Sequence, residues 1–244
     1  YIMITESKVT EIFCIADDFC KEFEVEMAKN ALPSTTDAPK RKRKRMMSDA
    51  EVITILICFH FNSYRNFKHY YLGCVRIHWK HLFPQTFSYN RFVEVMPRCF
   101  VALTMFLRLA CFGECTGISF VDSTCIPVIH NKRQSNMKVF KDIAAKGKST
   151  MGWYVGFKLH LLCNEKGELI NFVLTRANVD DRNEVVIDTL TDRVFGKLYA
   201  DKGYISQSLF GHLWDDGIHI VTGLRSNMKQ RLMPFYDKMM LRKR

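Results

Sequence analysis

Two aspartates stand where acid chemistry can be built. Asp122 ends the β-rich run Ile118-Ser119-Phe120-Val121-Asp122, and Asp201 ends Lys197-Leu198-Tyr199-Ala200-Asp201. A lone Asp at a strand end is ordinarily a cap or turn residue. Two in equivalent settings, Phe120-Val121-Asp122-Ser123-Thr124 and Tyr199-Ala200-Asp201-Lys202-Gly203-Tyr204, favour metal ligation instead. Hard divalent cations take oxygen ligands of this kind. Two such ions about 4 Å apart can activate an attacking oxygen and stabilise the leaving oxygen of a phosphodiester.

The fold must bring these residues together across the 79 positions that separate 122 from 201. From Gly117 onward the texture is that of strands. Val155 to Cys163 alternates, with Val155, Phe157, Leu159, Leu161 and Cys163 on one face. Leu169 to Thr175 reads as a further strand, after the turn Asn164-Glu165-Lys166-Gly167. Asp180 to Val194 becomes helical, with Val186, Leu190 and Val194 four apart, and Ser206 to Trp214 is helical again. Strands at 197–201 and 218–222 complete the order β-β-β-α-β-α-β. This order predicts an antiparallel meander continued in parallel through helical crossovers, a ribonuclease H-like arrangement. It puts Asp122 and Asp201 on neighbouring central strands.

The front of the chain is different. Residues 1–30 read as one amphipathic helix, with Val9, Ile12, Phe13, Ala16, Phe19, Cys20 and Phe23 at helical spacing. A polar linker from Leu32 to Pro39 runs into six consecutive cations, Lys40-Arg41-Lys42-Arg43-Lys44-Arg45. Six adjacent cations cannot all find protein partners, so they form either a solvated tether or a phosphate-contacting arm. Ser48-Asp49-Ala50-Glu51 has capping-box form before the apolar run Val52 to Phe61. Helical stretches follow at roughly 64–82, 89–97 and 98–112, with aromatics and cations alternating through Tyr64-Arg65-Asn66-Phe67-Lys68-His69-Tyr70-Tyr71. A helix-turn-helix is compatible with this pattern, although periodicity alone does not choose a recognition helix. The fold class is α+β: a helical DNA-binding region over 1–112, with basic linker 40–45, then a catalytic domain over 117–244.

Charge supports a polyanionic partner. Lys and Arg number 36 against 25 Asp and Glu, a formal net charge of +11. Each phosphate neutralised by such a surface releases condensed counterions. The nine cysteines include no C-x-x-C pair and mostly sit in apolar runs, as reduced thiols do. Cys111, Cys115, Cys125 and His130 are too irregularly spaced to favour a zinc site. No run of eighteen apolar residues and no signal pattern is present, so a soluble cytoplasmic protein is expected.

Four ordered motifs make a family resemblance specific. They are Phe120-Val121-Asp122-Ser123-Thr124, Gly156-Phe157-Lys158-Leu159-His160, Asn178-Val179-Asp180-Asp181-Arg182 and Ala200-Asp201-Lys202-Gly203-Tyr204-Ile205. Together they resemble the DDE transposases, and most nearly the insertion sequence 982 family. The resemblance is strong over 118–244 and looser over the helical front. It implies that Asp122 and Asp201 are the first two catalytic carboxylates and hold Mg²⁺ or Mn²⁺. The third, a Glu on a later helix, is not in this chain. The closing Leu241-Arg242-Lys243-Arg244 resembles the basic lead-in to it, so the chain is expected to be truncated at its C-terminus. Implied partners are the terminal inverted repeats of a bacterial mobile element and target DNA. A homo-oligomer assembled on DNA and association with the nucleoid are also implied.

Other residues carry weaker signals. Lys132, Arg133, Lys138, Lys141, Lys146 and Lys148 follow the first Asp in a loop where phosphates would approach. Lys158 and His160 share a strand face and either touch DNA or are solvated. Arg182, Lys202 and Arg225 are further phosphate-contact candidates. Gly147-Lys148-Ser149-Thr150 mimics the end of a P-loop but lacks the first glycine and a leading strand, so ATP is not expected. Glu184 reads as a first-turn helix residue favoured by the helix dipole. The alternative to an active transposase is a DNA-binding remnant that only occupies element ends.

Overall fold

The computed structural model describes residues 4–30, 45–226, 228 and 232–243. The chain divides into two units, Tyr1–Cys111 and Phe112–Arg244. Among the described residues no helix is long and apolar enough to cross a membrane.

The first unit is helical. Helix α1 (Glu6–Lys29) is capped by Thr5 and turns Val9, Ala16 and Cys20 inward. Helix α2 (Asp49–Phe61) starts at the capping box read from sequence. The Ser48 hydroxyl accepts from the Glu51 N–H at 3.1 Å, and the Glu51 carboxylate accepts from the Ser48 N–H at 2.7 Å. Because α2 is apolar on nearly every side, it is the central element of the unit, with Val52, Ile53, Ile55 and Cys58 fully buried. Around it lie α3 (Phe67–His69), a π-helical continuation (Tyr70–His78), α4 (Tyr89–Val95) and α5 (Phe100–Ala110). Buried tyrosines are satisfied by backbone: Tyr70 donates to the Ile55 carbonyl and Tyr71 to the Phe87 carbonyl.

The second unit is built on a six-stranded sheet. Its strands are β1 (Ile118–Ile129), β2 (Ala145–Ser149), β3 (Gly152–Asn164), β4 (Leu169–Arg176), β5 (Gly196–Ala200) and β6 (Ile218–Thr222). The central strand β1 pairs antiparallel with β3 on one side and parallel with β5 on the other. β6 adds in parallel beyond β5. The long β3 pairs with β2 through its first half and with β4 through its second.

Helices α6 (Glu184–Thr191) and α7 (Gln207–Asp215) cross between the parallel strands and cover one face. Val186, Ile187 and Leu190 of α6 and Leu209 and Leu213 of α7 meet Val121, Leu162, Leu198 and Ala200 of the sheet in one core. Helix α8 (Phe235–Lys243) packs on β5 and β6.

Strands β1 and β2 and helix α8, which no sequence pattern announced, depart from the sequence expectation. β1 runs to Ile129, seven residues beyond the expected end at Asp122, and β2 was read as loop. β2 is the edge strand Ala-Lys-Gly-Lys-Ser, so it needs no apolar alternation. It pairs with β3 through backbone hydrogen bonds, with Lys146 and Lys148 over the Trp153 ring of β3.

Candidate active site

Strand register places the two aspartates. In the parallel β1–β5 pair Ile118 faces Lys197, Ser119 faces Leu198 and Phe120 faces Tyr199. Each pair is offset by 79 positions, the separation of Asp122 and Asp201, which follow two residues after the last paired position, Phe120 with Tyr199. Neighbouring strands lie about 4.8 Å apart, so in-register carboxylates come within reach of shared cations. Both aspartates are exposed, whereas Val121 and Ala200 just before them are each 1% exposed. Buried strand therefore delivers each carboxylate to the surface. Asp122 also accepts from the Ser123 N–H at 2.9 Å.

Below the aspartates a second pair of residues locks the register. Phe120 and Tyr199 stack with centroids 5.5 Å apart and planes at 27°. Alternation along each strand puts Phe120 and Tyr199 on the same sheet face as Asp122 and Asp201. Helix α8 lies over that face at Tyr199: Asp237, 4% exposed, accepts from the Tyr199 hydroxyl and from Lys197 Nζ, both at 2.7 Å. Burial pushes the Asp237 carboxyl up, but the bonds from Lys197 and Tyr199 outweigh it and hold it below the usual carboxylate range. Sequence reasoning missed Asp237, because an acidic residue in a short, mixed-charge segment reads as solvated.

A basic crevice of about 420 Å³ opens beside the segment after Asp201, lined by Lys146, Lys148, Lys158, Arg182, Gly203 and Arg225, among others. On its wall the Trp153 indole, 56% exposed, has Lys146 Nζ and Lys148 Nζ at 5.2 and 5.9 Å from a ring centroid. Trp153 was another omission, since one aromatic in an alternating strand looks like core. Arg225 Nη2 donates to the Lys202 carbonyl at 3.0 Å and so ties the segment after β6 to the turn after Asp201.

The remaining sequence-predicted residues divide by environment. Lys132 and Arg133 are exposed on the 3-10 turn Asn131–Asn136, and Lys202 is exposed next to Asp201. Arg182 grips Asp180 with two bonds of 2.9 and 2.7 Å, which holds the Asp180 carboxyl far below its ordinary range. Lys158 is engaged internally, donating to the Val179 carbonyl at 2.8 Å and pairing with Asp181 at 3.1 Å. His160 is fully buried with its Nε2 against Thr175 Oγ1. The expectation of a solvated Lys158–His160 face is corrected: both turn toward the Asp180–Asp181 loop. Lys40, Arg41, Lys42, Arg43 and Lys44 lie outside the described residues. Arg45 pairs with Asp49 at 2.9 Å. Glu184 occupies the first turn of α6. No group of three or more His, Cys, Asp or Glu able to hold a metal occurs among the described residues.

A family model, "Transposase DDE domain", matches residues 112–244. The chain belongs to the DDE transposase family. Among solved structures it is similar to a piggyBac transposase, determined by cryo-EM as a synaptic complex with hairpin DNA. The identity is 13% and the TM-score 0.47, over 93% of this chain and 50% of that one. The chain thus spans half the length of that relative. No curated protein matches it. The domain's match covers both aspartates and the whole sheet of the second unit, and ends with α8.

Proposed function

We propose that this DDE transposase chain comes from a bacterial insertion sequence of the 982 type. It joins a helical DNA-binding region to much of a ribonuclease H-like catalytic domain. The observation that carries the reading is the parallel pairing of β1 with β5, which holds Phe120 beside Tyr199, each two residues ahead of one of the aspartates. The strand order, an antiparallel β1–β3–β4 set continued in parallel by β5 and β6, supports the ribonuclease H-like assignment.

The donor set fits a hard cation, since both side chains are exposed carboxylates. Mg²⁺ or Mn²⁺ held there supplies Lewis-acid activation for phosphodiester cleavage and strand transfer. Asp122 and Asp201 fix the position of that chemistry on the rigid sheet. Lys132, Arg133, Arg182 and Lys202 bind and orient the phosphates of element ends and target DNA. The 40–45 arm adds sequence-independent affinity. Assembly of several copies on DNA and a place at the bacterial nucleoid belong to the same proposal.

A second reading is a protein that only binds DNA at element ends, favoured by the net charge of +11. Calorimetric titration with Mn²⁺ tests the site. Wild type is expected to bind, and Asp122→Asn and Asp201→Asn to lose binding while keeping their circular dichroism. Equal binding by all three would overturn the assignment. Efficient joining of element ends to target DNA in Mg²⁺ would overturn the DNA-binding-only reading.

A further inference from the structure

We infer that the π-helical segment Tyr70–His78 presents a duplex-DNA docking face centred on Gly73, a surface that rests on the DNA-binding reading above. Three observations converge on it. The first is the backbone. The segment runs nine consecutive residues in π-helical form, closed by the Trp79 N–H on the Cys74 carbonyl at 2.8 Å; such backbone is rare and frequently found at functional sites.

The second is the glycine itself. A glycine inside a helix is less stable than alanine and needs a reason. Gly73 has no internal one: its φ is not positive, and a Cβ built there would meet nothing within 4 Å. The space beside the half-buried Gly73 is open, so a ligand can come close to the backbone there. Five-residue spacing puts His78 in the same row as Gly73, with Lys68 and His69 one turn earlier.

The third is charge. No Asp or Glu occurs between Glu51 and Glu94, while Lys68, His69, Arg76, His78 and Lys80 are all exposed around the segment. The acid facing its end is Glu6 of α1, which pairs with His81 at 3.2 Å. The opposite side of the segment is committed to the core through Tyr70, Tyr71, Cys74 and Val75. Core packing therefore fixes which side is outward. A cationic rim around a bare stretch of backbone is complementary to a phosphate-lined groove.

The test uses the full chain and a short fluorescein-labelled duplex of arbitrary sequence, with anisotropy followed over a range of salt. Gly73→Leu is expected to keep or raise the melting temperature, because the space is open and leucine favours helix. It is also expected to weaken duplex binding by roughly tenfold. Arg76→Ala and Lys80→Ala should each reduce the salt slope by about one. Lys29→Ala, at the end of α1, should leave the slope unchanged. A folded Gly73→Leu with wild-type affinity would overturn this face and leave the DNA-binding reading standing. A wild-type chain that binds no duplex would overturn both.

Discussion

The Phe120 and Tyr199 rings stack at 5.5 Å, each two residues ahead of an aspartate, so one aromatic contact sets how the ends of β1 and β5 lie against each other. Tyr199 is fixed in turn by its hydroxyl, which donates to the buried Asp237. Tyr199→Phe keeps the ring and removes that bond, leaving Asp237 with Lys197 alone. A hydrogen bond to a charged group is worth roughly 1.5–3 kcal/mol, so a loss of about 2 kcal/mol is expected in urea unfolding. The acid limb should move as well. Asp237 is held below its ordinary 3.8, so its contribution is present above that pH and lost as pH falls through the folded value. Tyr199→Phe should narrow that window, and an acid titration of fluorescence would show unfolding beginning at higher pH.

Gly156 is required by a neighbour rather than by its own torsion. It pairs with Pro127 where β3 meets the end of β1, and a Cβ there would collide with the Ile126 carbonyl. The obstacle is backbone, which cannot swing aside. Gly156→Ala should therefore force β1 and β3 apart and lower the melting temperature by several degrees, about 2 kcal/mol or more. An alanine variant as stable as wild type would show that the strands part there easily.

How much of this was legible beforehand follows from what each residue's reason is. The Ser48–Glu51 capping box could be read because its reason is local, a helix start that the Ser and Glu spacing marks. β3 showed itself through alternation, although its buried His160, Leu162 and Asn164 lie on the face opposite Phe157 and Leu159, and β4 to β6 showed themselves as short apolar runs. β2 did not, because its stability comes from backbone pairing with β3, which leaves no mark on side-chain type. Asp237 and Trp153 escaped for a related reason. The roles they take are set by residues far away in sequence, Lys197 and Tyr199 for one and Lys146 and Lys148 for the other. Lys158 and His160 were correctly put on one side of β3, but the Asp180–Asp181 loop that covers them comes from twenty residues on. Nothing in an alternating strand reveals which of its faces a later loop will close.

The buried His160 should leave a signature in pH. Burial lowers its pKa from 6.5, the nearby Asp181 carboxylate opposes that shift, and Lys158 adds to it. A base whose folded pKa is depressed contributes stability above its unfolded value and loses it as pH falls through the interval below. Melting temperature should therefore decline as pH drops below about 6.5, before the depressed carboxylates Asp180 and Asp237 begin to titrate. His212 works in the other direction, since Asp188 raises its pKa, and its contribution fades above the same pH. His160→Gln, which keeps a polar partner for Thr175, should flatten that decline below about 6.5. A slope unchanged by that substitution would assign the effect elsewhere.

Lys158 makes the sharpest distinction between holding the fold and holding DNA. Its side chain is 12% exposed and that of Asp181 26%, with 3.1 Å between the charges. Removing one partner of a fully buried pair costs about 3–5 kcal/mol because the other charge is left without compensation. The partial exposure here, and the Val179 carbonyl that Lys158 keeps, reduce the expectation for Asp181→Ala to about 2 kcal/mol. Lys158→Met should cost a similar amount, since it frees the Val179 carbonyl and the Asp181 carboxylate together. The double variant should lose less than the two single losses added, by about 1 kcal/mol or more, because one interaction is being removed twice. Additive losses, accompanied by a salt slope of duplex binding that falls by about one in Lys158→Met alone, would instead put the ammonium on a phosphate.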